Sequence, residues 1–152
     1  FYGPFVNSSI IGHTLQSVMK NKRAQYVGEK HLAREHIYTP DGAKALVTLA
    51  MNHHAYGQHW NIPATATITG EELIAIIRNL TNYDKKITPV TKNMLRFVGL
   101  FDRQMREFVE LQYLYEDPVV LSGEKYEREI GPLPKTSYID GMKQTIESLK
   151  EM

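Results

Sequence analysis

The segment from Arg34 to Asp41 holds the side chains best suited to chemistry in this sequence. Arg34 lies at the start of a strand predicted over 35–39, where a guanidinium can bind a phosphate or a carboxylate through two parallel hydrogen bonds. Asp41 follows Pro40, where a helix is expected to begin, and its carboxylate suits the positive end of the helix dipole. The alternative is a surface arginine followed by a helix-start aspartate. Both interpretations stay open on these residues alone.

Six histidines form the second group with possible chemistry, because imidazole binds zinc and other transition metals. They include His31 and His36 on either side of Arg34, and His53, His54 and His59 before Trp60. Their spacing matches no established metal motif, and His-Glu-x-x-His is absent. The sequence has no Cys, which excludes thiolate ligands and disulfides. We therefore predict that His53 and His54 are solvated at the end of a helix and that there is no metal site; a histidine-based metallohydrolase is the alternative.

The sequence contains no self-sufficient catalytic set. It has no Gly-rich dinucleotide loop of the Gly-x-Gly-x-x-Gly type and no phosphate-binding Gly-Lys-Ser/Thr loop. The Gly-x-Ser-x-Gly motif of an α/β-hydrolase nucleophile is also missing. We accordingly assign no catalytic residue.

Composition limits the class of protein. The chain has 152 residues, 42% of them hydrophobic, and a net charge of +1 from 18 Lys and Arg against 17 Asp and Glu. This length fits a single segment, 1–152, that can bury a core. The low net charge argues against a nucleic-acid partner, and no apolar stretch is long enough to cross a membrane. The absence of Cys makes a cytoplasmic setting the default expectation.

The elements that must position these side chains alternate between short strands and helices. Apolar periodicity predicts helices over 8–22, 40–53, 69–82, 91–100, 103–115 and 137–152. Strands are predicted over 23–27, 35–39, 59–62 and 87–90, and extended segments over 65–69 and 119–121. Ser8 or Ser9 is expected to cap the first helix, and Thr69 with Glu72 has the spacing of a capping box. The result is a helix-rich α/β class whose strands are too few and too short for a full doubly wound sheet.

The first six residues, Phe1-Tyr2-Gly3-Pro4-Phe5-Val6, are typical of a buried strand that runs into a turn. No initiator Met and no signal pattern precede them. We therefore expect a piece of a longer chain. A trimmed or processed terminus is the alternative.

Four landmarks resemble, in order, the motifs of a known family. Phe1-Tyr2-Gly3-Pro4 resembles the Tyr-Gly-Pro that follows the strand after a catalytic Tyr-x-x-x-Lys. Segment 34–41 with Gly42-Ala43-Lys44-Ala45 resembles Arg-Asp-Phe-Ile-Tyr-Val-Asp-Asp-Val-Ala. Trp60-Asn61-Ile62 and the helix start at Thr69 resemble the Tyr-Asn-Ile strand and the helix beyond it, and 131–150 resembles the closing loop and terminal helix. The chain is therefore similar to the C-terminal part of an extended short-chain dehydrogenase/reductase of the NAD-dependent epimerase/dehydratase family.

The resemblance implies the substrate-binding part of an NAD(P)-binding Rossmann-fold enzyme, without the Gly-rich cofactor loop. The binding residues it implies are Tyr2, Gly3 and Pro4 near the nicotinamide, Asn7 and Ser8 beside the substrate, Gln25, Tyr26 and Val27 along the nucleotide of a nucleotide-sugar, and Arg34 at the diphosphate. The longer enzyme would use NAD or NADP, whereas this part would bind neither tightly. Its reaction would be hydride transfer between a substrate carbon and the nicotinamide, with a Tyr as acid/base aided by a Lys.

The chain departs from the family pattern at three points. The Tyr-x-x-x-Lys pair is absent, so this part would have no turnover alone. The family's Val-Asp-Asp is Thr39-Pro40-Asp41 here, and its usual aromatic before Ile is His36. Pro40 removes a backbone donor at that point. The substrate can thus be a nucleotide-sugar or a related carbonyl or hydroxyl compound.

Two further expectations concern partners. A half of a larger fold exposes apolar surface, so we expect a homo-oligomer. The resemblance also implies a small-molecule substrate. The competing hypothesis is a stand-alone α/β module that binds a ligand or a protein without catalysis.

Overall fold

A computed structural model describes residues 1–6, 9–90, 93–94 and 118–151 of the chain. Within these residues the elements, in chain order, are α1 (Ile10–Met19), β1 (Gln25–Val27), β2 (Ala33–Glu35), α2 (Thr39–Ala50), a 3-10 helix (His53–Ala55), β3 (Thr67–Thr69), α3 (Gly70–Thr81), β4 (Thr88–Val90), α4 (Glu124–Glu129) and α5 (Tyr138–Lys150). The predicted mixed α/β class, rich in helices and with few short strands, is confirmed. None of the described helices is both long and apolar enough to span a membrane.

The described strands form two small sheets. β1 pairs with β4 in parallel, with Val27 opposite Val90. β2 pairs with β3 in antiparallel register, with Arg34 opposite Ile68. Tyr2 adds an isolated parallel bridge to Tyr38. The strands therefore tie together segments far apart in sequence instead of forming one wide sheet.

Local capping explains where the first and third helices begin. The Ser9 hydroxyl accepts a hydrogen bond from the Gly12 N–H at 3.0 Å. Thr69 Oγ1 accepts from the Glu72 N–H, while the Glu72 carboxylate accepts from the Thr69 N–H. These bonds satisfy orphan donors in the first turn. The predicted capping box is confirmed, and the first helix is shorter than the predicted 8–22.

The apolar faces of α1, α3 and α5 pack around β1 in what we call the main core. Its largest side chains are fully buried because three helices and a strand enclose them. Burying such side chains is the principal stabilising contribution to a fold of this kind. The buried members are Tyr2, Ile11, Leu15, Val18, Ala24, Tyr26, Tyr38, Ile68, Leu73, Ile74, Ile77, Tyr83, Ile87, Tyr138, Met142 and Ile146.

A second cluster, the small core, lies between α2 and α4. Its buried members are Ala45, Tyr126 and Leu133. Trp60 and Ile62 are among the partly buried side chains that pack against it. The opposite side of α2 is solvent-exposed, and it carries Leu46, Val47 and, at the C-cap, Met51.

The strand predicted over 35–39 is wrong in register. The paired residues are Ala33 to Glu35, opposite Thr69 to Thr67, and Thr39 already begins α2 with Pro40 in its first turn. Proline has a φ suited to that first turn, so the helix starts earlier than the apolar alternation suggests.

The strand predicted over 59–62 is also wrong, because these residues belong to none of the described strands. Residues 119–121, predicted as a short extended piece, likewise lie outside the described helices and strands. The Trp60 indole N–H donates to the Ala55 carbonyl at 2.8 Å instead of lying beside a neighbouring strand. The Leu121 N–H donates to a carboxylate oxygen of Glu35. The helices predicted over 91–100 and 103–115 lie, apart from Asn93 and Met94, outside the described residues.

Candidate functional site

Arg34 is the central residue of β2, and its side chain is only 6% exposed. The guanidinium lies against Gly28, the residue that follows β1. A Cβ on Gly28 would stand 2.7 Å from both terminal nitrogens of the guanidinium, and Gly28 has φ +97°. Glycine is therefore required here for conformation and for close approach. Arg34 is buried and not a surface side chain, and it joins the end of β1 to β2.

The three residues predicted along a nucleotide face two directions, as alternation in a strand requires. Tyr26 points into the main core, where its ring lies against Gly70; a Cβ there would stand 2.7 Å from the ring. Gln25 is exposed, and Val27 is half-buried next to Gly28 and Arg34. Val27 thus directly precedes Gly28, against which the Arg34 guanidinium lies, whereas the Tyr26 ring belongs to the main core.

Tyr2 is buried between two other tyrosines. Its ring centroid is 5.4 Å from that of Tyr38 and 5.8 Å from that of Tyr138. Its N–H donates to the Ile37 carbonyl, and its carbonyl accepts from the Thr39 N–H. Burial, together with the neighbouring tyrosines and Asp41, raises the pKa of the Tyr2 phenol above its usual value. Tyr2 therefore serves the interior of the fold through both its backbone and its side chain.

Gly3 and Pro4 offer little of their own to a dinucleotide. Gly3 has φ +150°, and a Cβ there would overlap the Thr39 hydroxyl. The Gly3 carbonyl accepts the Val6 N–H, and Pro4 has no N–H to donate. Because Gly3 and Pro4 offer so few binding groups and the sequence has no Gly-rich loop, these residues by themselves do not fit a dinucleotide cofactor. Asn7 and Ser8, predicted beside the substrate, lie outside the described residues.

Asp41 is committed to a structural contact. Its carboxylate accepts from the Thr136 N–H at 2.6 Å and from the Thr136 hydroxyl at 2.9 Å. The pair ties the first turn of α2 to the loop before α5. Sequence reasoning found Asp41 at the helix start but missed Thr136, which lies 95 residues away and carries no local signal.

His36 is a further residue that local sequence patterns did not place. Its backbone N–H donates to the Tyr138 hydroxyl at 3.0 Å, and that hydroxyl donates to the Ala66 carbonyl at 2.7 Å. Burial, with the N-terminal amine and Arg34 adding positive charge, lowers the pKa of His36 to about 4. The imidazole is therefore neutral at neutral pH.

The histidines near Trp60 lie at the surface. His53 and His54 are exposed, as predicted for the end of a helix, and the His53 ring contacts Tyr56 edge-on. Among the described residues, no three histidine or acidic side chains are grouped so that they could hold a metal ion. This region offers no candidate metal centre.

Comparison with solved structures gives strong matches over the whole chain. One is UDP-glucuronic acid 4-epimerase from Bacillus cereus in complex with NAD, at 12% identity and a TM-score of 0.75, covering 99% of this chain and 42% of that one. Another is UDP-glucose 4-epimerase with UDP-glucose from Thermotoga maritima, at 18% identity and a TM-score of 0.69, covering 99% of this chain and 43% of that one. A third is dTDP-glucose 4,6-dehydratase from Streptomyces venezuelae with NAD and TYD bound, at 22% identity and a TM-score of 0.70, covering 99% of this chain and 41% of that one. No family model and no curated protein matches the sequence.

These identities are low, so the matches speak to the fold alone. The chain spans about 42% of the length of the UDP-glucuronic acid epimerase that it matches. The four ordered landmarks of the sequence and the fold point to the same group of structures. The chain has the fold of a part, about two fifths of the length, of these epimerase and dehydratase structures.

Proposed function

We propose that the chain is the substrate-binding portion of an NAD(P)-dependent epimerase, dehydratase or reductase that acts on a nucleotide-sugar or a related carbonyl or hydroxyl compound. Two kinds of support meet in this proposal. The solved structures of the same fold include complexes with NAD and with nucleotide-sugars. The chain itself provides a buried arginine suited to an anionic ligand.

The observation that carries the proposal is the environment of Arg34. A buried guanidinium is costly to desolvate, and its charge acts strongly in such a place. The planar guanidinium matches the geometry of a phosphate. Gly28 has no side chain, which leaves room for this guanidinium beside the end of β1. A diphosphate held there would place its nucleotide along Val27.

The remaining chemistry would come from elsewhere in a longer enzyme. NAD or NADP supplies the hydride chemistry when it is bound. This chain's own residues would bind and orient the substrate, with Arg34 at the diphosphate. Gly3 and Pro4, held in place by the buried Tyr2, would form one edge of the nicotinamide site. The part alone would neither turn over nor bind the cofactor tightly. The absence of Cys supports a cytoplasmic setting.

Calorimetric titration of the protein with UDP and with dTDP tests the role of Arg34. We expect binding to wild type and a loss of about tenfold to a hundredfold in affinity for Arg34→Lys, because lysine cannot make the paired contact. If wild type binds neither compound at millimolar concentration, or if Arg34→Lys binds as well as wild type, the proposed site is wrong.

A pair of glycine variants separates the position of the guanidinium from backbone strain. Gly28→Ala puts a methyl group against the guanidinium, whereas Gly57, with φ +71°, has no atom within 4 Å of its Cβ position. Both substitutions place a side chain at a positive φ. We expect weaker UDP binding only for Gly28→Ala, and equal losses in the two variants would contradict a local effect on Arg34.

Self-association is a separate part of the proposal. The exposed apolar side chains Leu46, Val47 and Met51 lie together on α2 and its C-cap, and they provide surface for a second copy. Light scattering should give a mass above that of a monomer at high concentration, and Val47→Lys should lower it. Ile139→Lys, at an exposed apolar position of α5, is the matched control. A monomer at every concentration would contradict this part alone.

A further inference from the structure

A small cavity lies where four segments of the chain meet. The N-terminal residues, the β2–α2 connection, segment 63–65 and the loop before α5 all contribute to its wall. Its volume is about 10 Å³, and Tyr2, His36, Asp41 and Thr136 are among the residues that line it. A space of this size accommodates about one water molecule.

Two polar atoms of its lining residues are buried without a hydrogen-bond partner among the described residues: Tyr2 Oη and His36 Nε2. Asp41, Thr136 and Tyr38, which also line this cavity, have hydrogen-bond partners. The Asp41 carboxylate accepts two hydrogen bonds from Thr136, and the Tyr38 hydroxyl donates to the Gln144 side chain at 2.8 Å. Unpaired buried polar atoms are rare because each costs the free energy of its lost hydration.

We propose that this cavity binds one ordered water molecule that hydrogen-bonds to both Tyr2 Oη and His36 Nε2. In this arrangement each of the two buried atoms meets a partner of the opposite kind. The water donates one hydrogen to the unprotonated Nε2 of a neutral imidazole, and it accepts from the Tyr2 hydroxyl. His36 then carries its ring proton on Nδ1. A water bound in this way gives each of the two buried atoms a hydrogen-bond partner.

The charges around His36 agree with an imidazole that accepts a hydrogen bond. Burial lowers the pKa of His36 first, and the N-terminal amine and Arg34 add to the effect. The phenols of Tyr2 and Tyr138 face the same region with pKa values raised by burial, so they stay protonated and able to donate. Asp41, the acidic residue in the cavity wall, is held by Thr136.

The water site depends on His36, a residue at which this chain differs from the family motif. In the family motif that segment 34–41 resembles, the position of His36 is an aromatic residue without a ring nitrogen. The water site does not depend on the proposed function, and it would persist if Arg34 bound no diphosphate.

A double-mutant cycle with Tyr2→Phe and His36→Phe tests the shared water. Each single substitution removes one of the two hydrogen bonds of the water and so weakens its hold on the remaining partner. The double variant removes both polar groups and leaves an apolar cavity. We expect the effects of the two substitutions on the unfolding equilibrium constant to be non-additive by about fivefold or more. Additive effects would overturn the proposal. Tyr83→Phe is the control, because it removes a buried hydroxyl that bonds to Lys22 and Ala24 far from the cavity, and we expect it to be additive with His36→Phe.

A direct observation keeps the test independent of how the variants fold. A crystal structure of the wild-type protein at a resolution that shows ordered water should place one peak within hydrogen-bonding distance of both atoms. Nitrogen NMR of the His36 ring at neutral pH should show the proton on Nδ1. A cavity without density, or a ring proton on Nε2, would overturn the proposal.

Discussion

The main core and the small core are stabilised by different kinds of contact. Among the residues that the structure describes, sixteen buried side chains from three helices, the strands and their connections enclose one another in the main core. Within the same residues, the small core buries Ala45, Tyr126 and Leu133. Stability from burial grows with the apolar area removed from water, so it must be concentrated in the main core.

Directional contacts take a larger share in the small core. The Tyr126 hydroxyl donates to the Ala45 carbonyl at 3.1 Å. Lys125 Nζ lies 4.3 Å from the centre of the Trp60 ring, which in turn meets Tyr126 edge-on. We therefore expect loss of side-chain volume to affect the main core most, whereas loss of single polar groups should be visible in the small core.

The largest effect is expected for Met142→Ala. Met142 is fully buried, and its truncation leaves a cavity that should lower the free energy of unfolding by about 4 kcal/mol. Ile139→Ala, on the exposed side of the same helix, should change it by less than about 0.5 kcal/mol. Urea denaturation measures both. If Leu133→Ala in the small core costs as much as Met142→Ala, the comparison between the two cores fails.

Acid should destabilise the fold through His36. The pKa of His36 is lowered in the folded state to about 4, so the unfolded chain binds the proton at higher pH. His36 therefore contributes fully above about pH 6.5, and its contribution is lost as pH falls towards 4, by up to about 3 kcal/mol. The difference in unfolding free energy between wild type and His36→Phe across this range isolates the effect. A difference that does not vary with pH would argue against a buried neutral imidazole.

Tyr126→Phe should have a smaller effect, confined to the small core. It keeps the ring in place and removes the hydrogen bond to Ala45, which should cost about 1 kcal/mol of unfolding free energy. Hydrogen exchange in α2 should rise, while amides of α3 in the main core should exchange as in wild type. Equal increases in both helices would mean that the two cores unfold as one unit.

The smallest effect is expected for Lys125→Met. This change removes the cation above the Trp60 ring and the donor to the His59 carbonyl, both near the surface. The cost should be about 0.5 kcal/mol, and Lys125→Arg should recover most of it because arginine keeps a cation over the ring. Thermal unfolding of the two variants side by side decides the point.

Elements of the main core could be predicted from the sequence because their signals are local. Apolar periodicity and the caps at Ser9 and Thr69 lie within a few residues of the helices that they define. The register of β2 could not be predicted in this way, because its partner is β3 and Pro40 brings the next helix forward. The segment at Trp60 failed for a similar reason, since its β-like composition serves packing on Tyr126 and not pairing.

At the candidate site, too, the sequence could predict what depends on local signals but not what depends on contacts between distant segments. Arg34 could be identified by its residue type and by the motif around it, but its burial against Gly28 depends on where β1 ends. Tyr2 and His36 line the same cavity because Tyr2 forms a parallel bridge with the distant Tyr38, and neither Tyr2 nor His36 carries a local signal for this.

The Tyr138 hydroxyl has a consequence for the kinetics of folding. It bonds to residues 102 and 72 positions away in the chain, so both contacts require the closure of long loops. Such contacts form late, after local helices and their nearest packing partners. We expect Tyr138→Phe to accelerate unfolding while leaving the refolding rate nearly unchanged, and stopped-flow measurements in urea would show this as a shift of the unfolding arm alone. This one phenol would then set how long the protein stays folded and not how fast it folds.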